Sequence, residues 1–452
     1  MGERFKTIDR DTQYLFPPSV QEWLPEEHLA RFVVEIVEGL NLERLNASYR
    51  GSGSEAFPPS MMVALLFYGY STGVFSSRKL ERATYDSVAF RYIAANTHPD
   101  HDTIASFRKR FLEELSPAFA RILEMAQAMG LLQVGTVSLD GTKVKASASK
   151  HKALSYGYAE RLEAQLNEEV SKLLRLAEQA DQNEKPDGMD IPAELARRET
   201  RLAAIAKAKA EIERRAQERY DREQADYETK ITQRQAESEQ TGKKPRGRDP
   251  KPPESGPGKR EQVNLTDKES RIMPVSGKGF MQAYNAQAAV DTESLLIVTS
   301  HVSQKANDLK ELKPTLEKLE QLPDCLGKAK NLLADAGYFS EANVIACTHH
   351  KITPYIASGR DDHNKSLEER FKQPPPLPVT TDLVATMKHR LKTPEGKKTY
   401  AKRKSTVEPV FGIIKQVLGF RQFLLRGLEN VEKEWNLVCM AWNIKRMHAL
   451  KA

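Results

Sequence analysis

The sequence predicts a mixed α/β fold in three parts: an all-α N-terminal segment, a β-rich core, and a charged helical insertion that splits the core. Three observations carry this expectation. Apolar residues recur at helical spacing up to about residue 130. Strand-like alternation starts at Thr136, stops near Ala148 and resumes only at about Phe280. Between the two β-rich parts lies a stretch, residues 156–227, that is almost purely helical in period and highly charged. A chain of 452 residues exceeds one ordinary domain.

Taken in order, Trp23, Leu24, Leu29, Phe32, Val33, Ile36, Val37 and Leu40 mark the first helices. Pro58 and Pro59 open another, since proline suits a first turn, with Met62, Leu65, Leu66 and Tyr68 on its core side. A third starts at Ser76, a residue suited to N-capping, and carries Arg78 and Lys79 on a basic face. The run 98–111 offers His98, His101 and Asp102 as metal ligands. The preferred reading is a helix N-capped by Asp102, with Ile104, Phe107 and Phe111 on its apolar face. Arg108, Lys109 and Arg110 then face a phosphate backbone.

The first strand follows, Thr136 to Thr142, with Asp140 inside it. In the insertion, Leu162, Leu166, Val170 and Leu173 form one stripe and Leu195, Leu202, Ile205 and Ile212 a second, with Pro186, Asp187 and Gly188 between them. This predicts an antiparallel helical hairpin, either a solvated spacer or an arm that binds DNA or a partner. Residues 233–262, rich in Lys, Arg and Pro, read as a disordered basic linker. Two strand-like runs, 280–291 and 295–302, joined through Asp291, Thr292 and Glu293, predict a hairpin. A helix (309–322), a strand ending at Asp335, a helix (340–349) and a short strand (352–356) come next. After a Pro-rich loop at 374–378, a helical block from about Lys397 carries Glu408. Pro409 predicts a kink or a fresh helix start there. This is the element order of an RNase H-like core with a long insertion after its first strand.

Three carboxylates stand out in that order: Asp140, Asp335 and Glu408. An ionised carboxylate near a core must be paired or metal-bound. Two strand-borne Asp and one helix-borne Glu can form an all-oxygen site for a pair of Mg²⁺ ions, an arrangement that cuts and joins phosphodiesters. Asp291 and Asp308 read as turn and helix-cap residues, the run Asp361, Asp362 and His363 as solvated, and Trp435 and Trp442 as core. The formal charge of +7 fits a polyanionic partner. Three widely spaced Cys make neither a metal-ligand spacing nor a disulfide framework, which fits a reducing interior. The N-terminus has no signal-peptide pattern and the apolar runs are too short to span a bilayer, so a cytoplasmic protein without a membrane partner is expected.

The segments Tyr284-Asn285-Ala286-Gln287-Ala288-Ala289-Val290-Asp291, Ala334-Asp335-Ala336-Gly337-Tyr338 and Val407-Glu408-Pro409-Val410-Phe411-Gly412, with Lys415, resemble bacterial insertion-sequence transposases of the DDE class. The closest likeness is the insertion-sequence 1182 branch. Tyr68-Gly69-Tyr70, the run 76–79 and the run 99–104 resemble that branch's N-terminal helical domain, so the likeness covers nearly the whole chain except the linker. It implies a DDE transposase that cleaves element ends with Mg²⁺ and transfers the 3′-OH strand into target DNA. Asp140, Asp335 and Glu408 would be the catalytic residues and the ligands of two Mg²⁺ ions, with Mn²⁺ as a substitute. Related transposases carry a Tyr-x2-Arg-x3-Glu-x6-Lys signature. Here Glu408 and Lys415 keep the last spacing, Lys404 stands at the Arg position, and Tyr400 and Arg403 lie one residue out of register.

The expected DNA contacts are Lys415, Lys404, Arg403, Tyr400 and Lys398 behind, and Arg78, Lys79, Arg108 and Arg110 in front. Tyr400, Lys404, Glu408 and Lys415 would share one helix face. The expected partners are the terminal inverted repeats and target DNA, with a homodimer holding both ends. The expected division is an N-terminal helical DNA-binding domain at 1–130, a discontinuous core at 131–150 and 264–430, the insertion with its linker at 151–263, and a C-terminal helix at 431–452. Two other functions are open to such a sequence: a catalytically idle DNA-binding relative, and a metal-dependent nuclease without strand transfer.

Overall fold

The computed structural model describes residues 19–49, 56–180, 190–242, 247–275, 277, 279–359, 374, 376 and 382–451. The break at 186–188, the basic run 243–246, the run 361–363 and most of the loop 374–378 lie outside these residues. The chain divides into two compact units, one of Met1–Val144 with Asn285–Ala452 and one of Lys145–Tyr284. Among the described residues no helix is long and apolar enough to cross a membrane.

Among the described residues of the first unit, only helices precede the first strand. They are α1 (Val20–Trp23), α2 (Leu29–Glu38), α3 (Glu43–Ala47), α4 (Pro59–Thr72), α5 (Ser77–Asp86), α6 (Val88–Ile93), α7 (His101–Phe111) and α8 (Ser116–Ala128). The sequence suggests one core side for α4, but every residue from Met62 to Ser71 is buried. A helix apolar all round belongs inside a core. The α7 helix begins two residues earlier than expected. Asp100, in extended conformation, is its N-cap and accepts from the Thr103 N–H (2.8 Å) and hydroxyl (2.8 Å), while Asp102 stays in the exposed first turn. His101 pairs with Glu81 at 2.8 Å, and His98 meets the Thr84 hydroxyl at 3.1 Å and stacks on Tyr85. Those partners explain the two histidines without a metal.

The sheet of this unit has the order β6, β5, β1, β7, β8, where β1 is Thr136–Lys145, β5 Gly279–Asp291, β6 Ile297–Ser303, β7 Asn331–Ala334 and β8 Thr353–Ile356. The β5–β6 hairpin is antiparallel, and β1, β7 and β8 run parallel to one another. Helices α11 (Leu312–Glu320) and α12 (Glu341–His349) connect β6 to β7 and β7 to β8. The last helices are α13 (Leu383–Lys392), α14 (Pro394–Ala401), α15 (Val407–Gly412) and α16 (Leu428–Lys451). Trp435 and Trp442 of α16 are buried, as expected of core residues. Their indole N–H groups donate to the Gln287 carbonyl (3.0 Å) and the Leu295 carbonyl (2.9 Å).

A buried polar knot joins α4, α7 and α16. Glu434 accepts from the Tyr70 hydroxyl at 3.1 Å and from the N–H groups of Leu424 and Leu425 at 3.0 Å each. Arg108 lies beside it, donating to the Phe75 carbonyl (2.8 Å) and the Tyr70 hydroxyl (3.3 Å). Arg108 is therefore buried, not turned to a phosphate backbone as its basic neighbours suggest. It follows Ile104 by one helical turn and so sits on the helix face that packs inward.

The second unit is built on two helices, α9 (Tyr156–Ala180) and α10 (Ile191–Thr241). Leu166 of the first stripe packs with Ile205 and Ile212 of the second, and Leu162 and Leu202 flank them. The cross-pairs Glu169–Arg198 (2.8 Å) and Glu163–Lys209 (2.6 Å) run in opposite senses along the two helices, so the hairpin is antiparallel. Strands β2 (Ala153–Ser155) and β3 (Gln262–Asn264) close its root, and β4 (Arg271–Val275) pairs with the start of β5. The helix runs on to Thr241, into the region that composition marks as linker. The Pro-rich chain then returns along α10. Arg234 bonds Asp249 at 3.1 Å, and Arg219 bonds Glu261 and the Gly256 carbonyl.

Candidate active site

Parallel pairing places the first two carboxylates. Ser138 of β1 stands opposite Leu333 of β7. Two residues further along each chain come Asp140 and Asp335, at the same level of neighbouring strands. Asp140 is still within β1 and accepts from the Gly141 N–H at 2.8 Å. Asp335 has just left β7. Its carboxylate caps a 3₁₀ turn, Ala336–Tyr338, by accepting from the Gly337 N–H at 2.8 Å. Burial pushes the Asp140 carboxyl up to about 7; the Gly141 N–H and Arg403 oppose that shift, while the neighbouring Asp335 and Asp308 add to it.

Glu408 arrives from the other end of the chain, in the first turn of α15. Pro409 is thus part of a fresh helix start. Between α14 and α15 the chain tightens into a 3₁₀ turn, Lys402–Ser405, and breaks at Thr406 (φ −111°, ψ −83°). The expected single face for Tyr400, Lys404, Glu408 and Lys415 therefore does not form. A 3₁₀ turn has about 3.0 residues per turn against 3.6 for the α-helix, which resets the register. Arg403 turns inward and Lys404 outward. The Arg403 guanidinium donates to Glu408 Oε1 at 2.8 Å with one nitrogen and reaches Asp140 Oδ2 at 3.5 Å with another. Its side chain is 13 % exposed, against 20 % for Asp140 and 49 % for Glu408.

Asp140, Asp335 and Glu408 are all carboxylates, the oxygen donors that hard divalent cations take. A cation beside Asp140 would also offset the repulsion from Asp335 and Asp308. The donor chemistry fits. Among the described residues, however, no three His, Cys, Asp or Glu side chains stand close enough to hold a metal ion. The Arg403 guanidinium instead contacts Asp140 and Glu408.

Behind the carboxylates lies a polar scaffold that the sequence did not flag. Asp308 Oδ1 accepts from Asn285 Nδ2 and Gln287 Nε2, each at 2.7 Å, and lies 3.7 Å from Lys143 Nζ. Gln287 Oε1 accepts from the buried Tyr338 hydroxyl. Gly141 must be glycine for this scaffold to close, because a Cβ there would meet the Gln287 amide and stand 2.6 Å from Asp308 Oδ1. The available signal was the pair Asn285 and Gln287, two polar residues on one face of an otherwise apolar strand. Asp291, by contrast, is the turn residue it seemed: one oxygen accepts from Glu293 N, Ser294 N and Ser294 Oγ.

Lys415 sits in a π-helical turn, Ile413–Val417, and donates to Thr142 Oγ1 (2.5 Å) and the Lys143 carbonyl (2.7 Å). It is tied to β1. Lys398 and Lys404 are exposed, and Tyr400 is partly buried. In front, Arg78 and Lys79 are exposed on α5, and Arg110 is exposed on α7.

Residues 253–444 match a family model described as a transposase DDE domain, and residues 18–110 match one described as a transposase domain. The transposase DDE match contains Asp335, Arg403 and Glu408, while Asp140 lies outside both matches. No curated protein and no solved structure is similar enough to match. A transposase DDE domain implies, in general, an enzyme that cuts or transfers nucleic acid with the help of divalent metal ions. The mixed α/β fold, with its strand order, is consistent with the RNase H-like core expected of that class.

Proposed function

We propose that the chain is a DDE transposase of the insertion-sequence 1182 branch, which cleaves DNA at the ends of its element and joins the freed 3′-OH to target DNA. The observation that carries the reading is the placement of Asp140 and Asp335 at one level of adjacent parallel strands, with Glu408 tied to Asp140 through Arg403. Asp140, Asp335 and Glu408 would hold Mg²⁺, and bound Mg²⁺ would stabilise the attacking and leaving oxygens of an in-line displacement at phosphorus. The protein's own part is to fix the three carboxylates. The Gly141 and Gly337 N–H groups orient Asp140 and Asp335, and the Asp308 scaffold backs Asp140. Exposed Arg78, Lys79, Lys398 and Lys404 would meet phosphates, and a homodimer would hold the two element ends. Lys415 would act by holding β1 beside α15.

The test is a defined-ends assay. Duplex DNA carrying the element's terminal repeats should be cut in Mg²⁺ and joined to a target plasmid by the wild type. Asp335→Asn should bind that DNA with near wild-type affinity and not cut it, because it loses an acid and no phosphate contact. Cutting by Asp335→Asn at the wild-type rate would refute the mechanism. Cutting without joining would make the chain a nuclease.

A further inference from the structure

The site already contains a cation of its own. Among the described residues, Arg403 is the one side chain that contacts both Asp140 and Glu408, and it does so with separate nitrogens of one planar group. It is mostly enclosed, and its Nε is buried without a hydrogen-bond partner. A buried donor left unpaired costs free energy. This guanidinium is therefore held by its two carboxylates and not by a full set of bonds. Glu408, half-exposed in the first turn of a short helix, is correspondingly steered by Arg403.

We propose that Arg403 is a positioning residue that competes with the divalent cation for Asp140 and Glu408, so that metal loading requires the guanidinium to leave one or both of them. This rests on the metal site of the proposed function. The two carboxylates have a finite set of lone pairs, and the pair with Arg403 is a charge-assisted contact at 2.8 Å on Glu408. A cation that takes those oxygens must offset that contact. Once released, the guanidinium stands beside the carboxylates as a donor for a phosphate of bound DNA, the group its planar fork suits. Metal and DNA would then favour the same displacement, each making room for the other, which is a positive coupling between two ligands.

The experiment measures Mn²⁺ binding directly, from the free-ion electron paramagnetic resonance signal, on the full-length protein without DNA. Arg403→Gln should bind Mn²⁺ about tenfold more tightly than the wild type, and Arg403→Lys should fall between them because it keeps charge without the fork. Lys402→Gln, which removes a neighbouring charge that pairs with Glu293, should change the affinity by less than about twofold. Each variant is checked by its thermal melt, and Arg403→Lys keeps the test alive if Arg403→Gln does not fold. Adding a short DNA duplex should tighten Mn²⁺ binding by the wild type more than by Arg403→Gln. Equal or weaker Mn²⁺ binding by Arg403→Gln, or equal tightening by Lys402→Gln, overturns the competition. The metal site itself is tested by Asp335→Asn. If that variant binds Mn²⁺ as the wild type does, the proposed site is wrong. If it loses binding while Arg403→Gln gains nothing, only the competition is wrong.

Discussion

Replacing Asp140 by Asn should stabilise the protein at neutral pH while abolishing the proposed cleavage activity. The Asp140 carboxyl is pushed from an ordinary value of 3.8 up to about 7, chiefly by burial. A group whose folded pKa lies above its unfolded value binds more protons in the folded state. Its stabilising contribution is full below pH 3.8 and is lost as pH rises to about 7. At pH 8 the folded chain thus carries the whole cost of an ionised Asp140. At about 1.4 kcal/mol per pKa unit, a shift of roughly three units sets a ceiling near 4 kcal/mol. Asparagine keeps an oxygen for the Gly141 N–H but weakens the Arg403 contact, and partial solvation screens the rest. The expected gain is therefore about 1–2 kcal/mol, or a few degrees in Tm. The assay is urea and thermal unfolding of both proteins in EDTA, from pH 4 to pH 8. The gain should be largest above pH 7, shrink by more than half near pH 5 and vanish toward pH 4. A variant no more stable than the wild type at pH 8, or a gain independent of pH, would refute the argument.

Three further substitutions probe other parts of the frame. Gly141→Ala should cost about 1–3 kcal/mol in urea unfolding, because its Cβ is forced against Asp308 and Gln287. Arg108→Met should cost about 3 kcal/mol at pH 8 and less at pH 5, since it strips the nearby positive charge from buried Glu434. Burial already raises the pKa of Glu434, so at lower pH its carboxyl can take up a proton instead. Lys404→Ala should weaken DNA binding by a similar factor on all sequences and reduce the slope of log affinity against log salt by about 1, as read by fluorescence anisotropy.

Patterns of period and spacing made the sheet legible. The hairpin at Asp291, the strand before Asp335 and the helix start at Pro409 each carry a local signal, and the structure places them where those signals point. The carboxylates could be singled out because an acid closing an apolar run needs a reason. What the sequence hid were features set by register or by distant partners. The count from Glu408 back to Lys404 assumes an unbroken helix, and one 3₁₀ turn moves Arg403 into the site instead. Arg108 reads as one of three basic neighbours, yet only its one-turn spacing from Ile104 decides that it faces the core. Asp308 resembles a helix cap in sequence; its hydrogen bonds to Asn285 and Gln287 span more than twenty residues of chain.

The second unit leaves the sheet from two strands that are neighbours. β1 hands the chain over at Lys145 and β5 takes it back at Tyr284, and just past that point the Ala146 N–H still donates to the Gln282 carbonyl at 2.9 Å. Topologically the whole unit is one oversized hairpin turn. Closing a longer loop costs little, about 0.6 kcal/mol for each doubling of length. By loop closure alone, the size of that turn costs the sheet little, although β4, within the unit, also pairs with the start of β5. An excised chain closed by a two-residue turn would keep the same register, because antiparallel neighbours need no more than that to be joined.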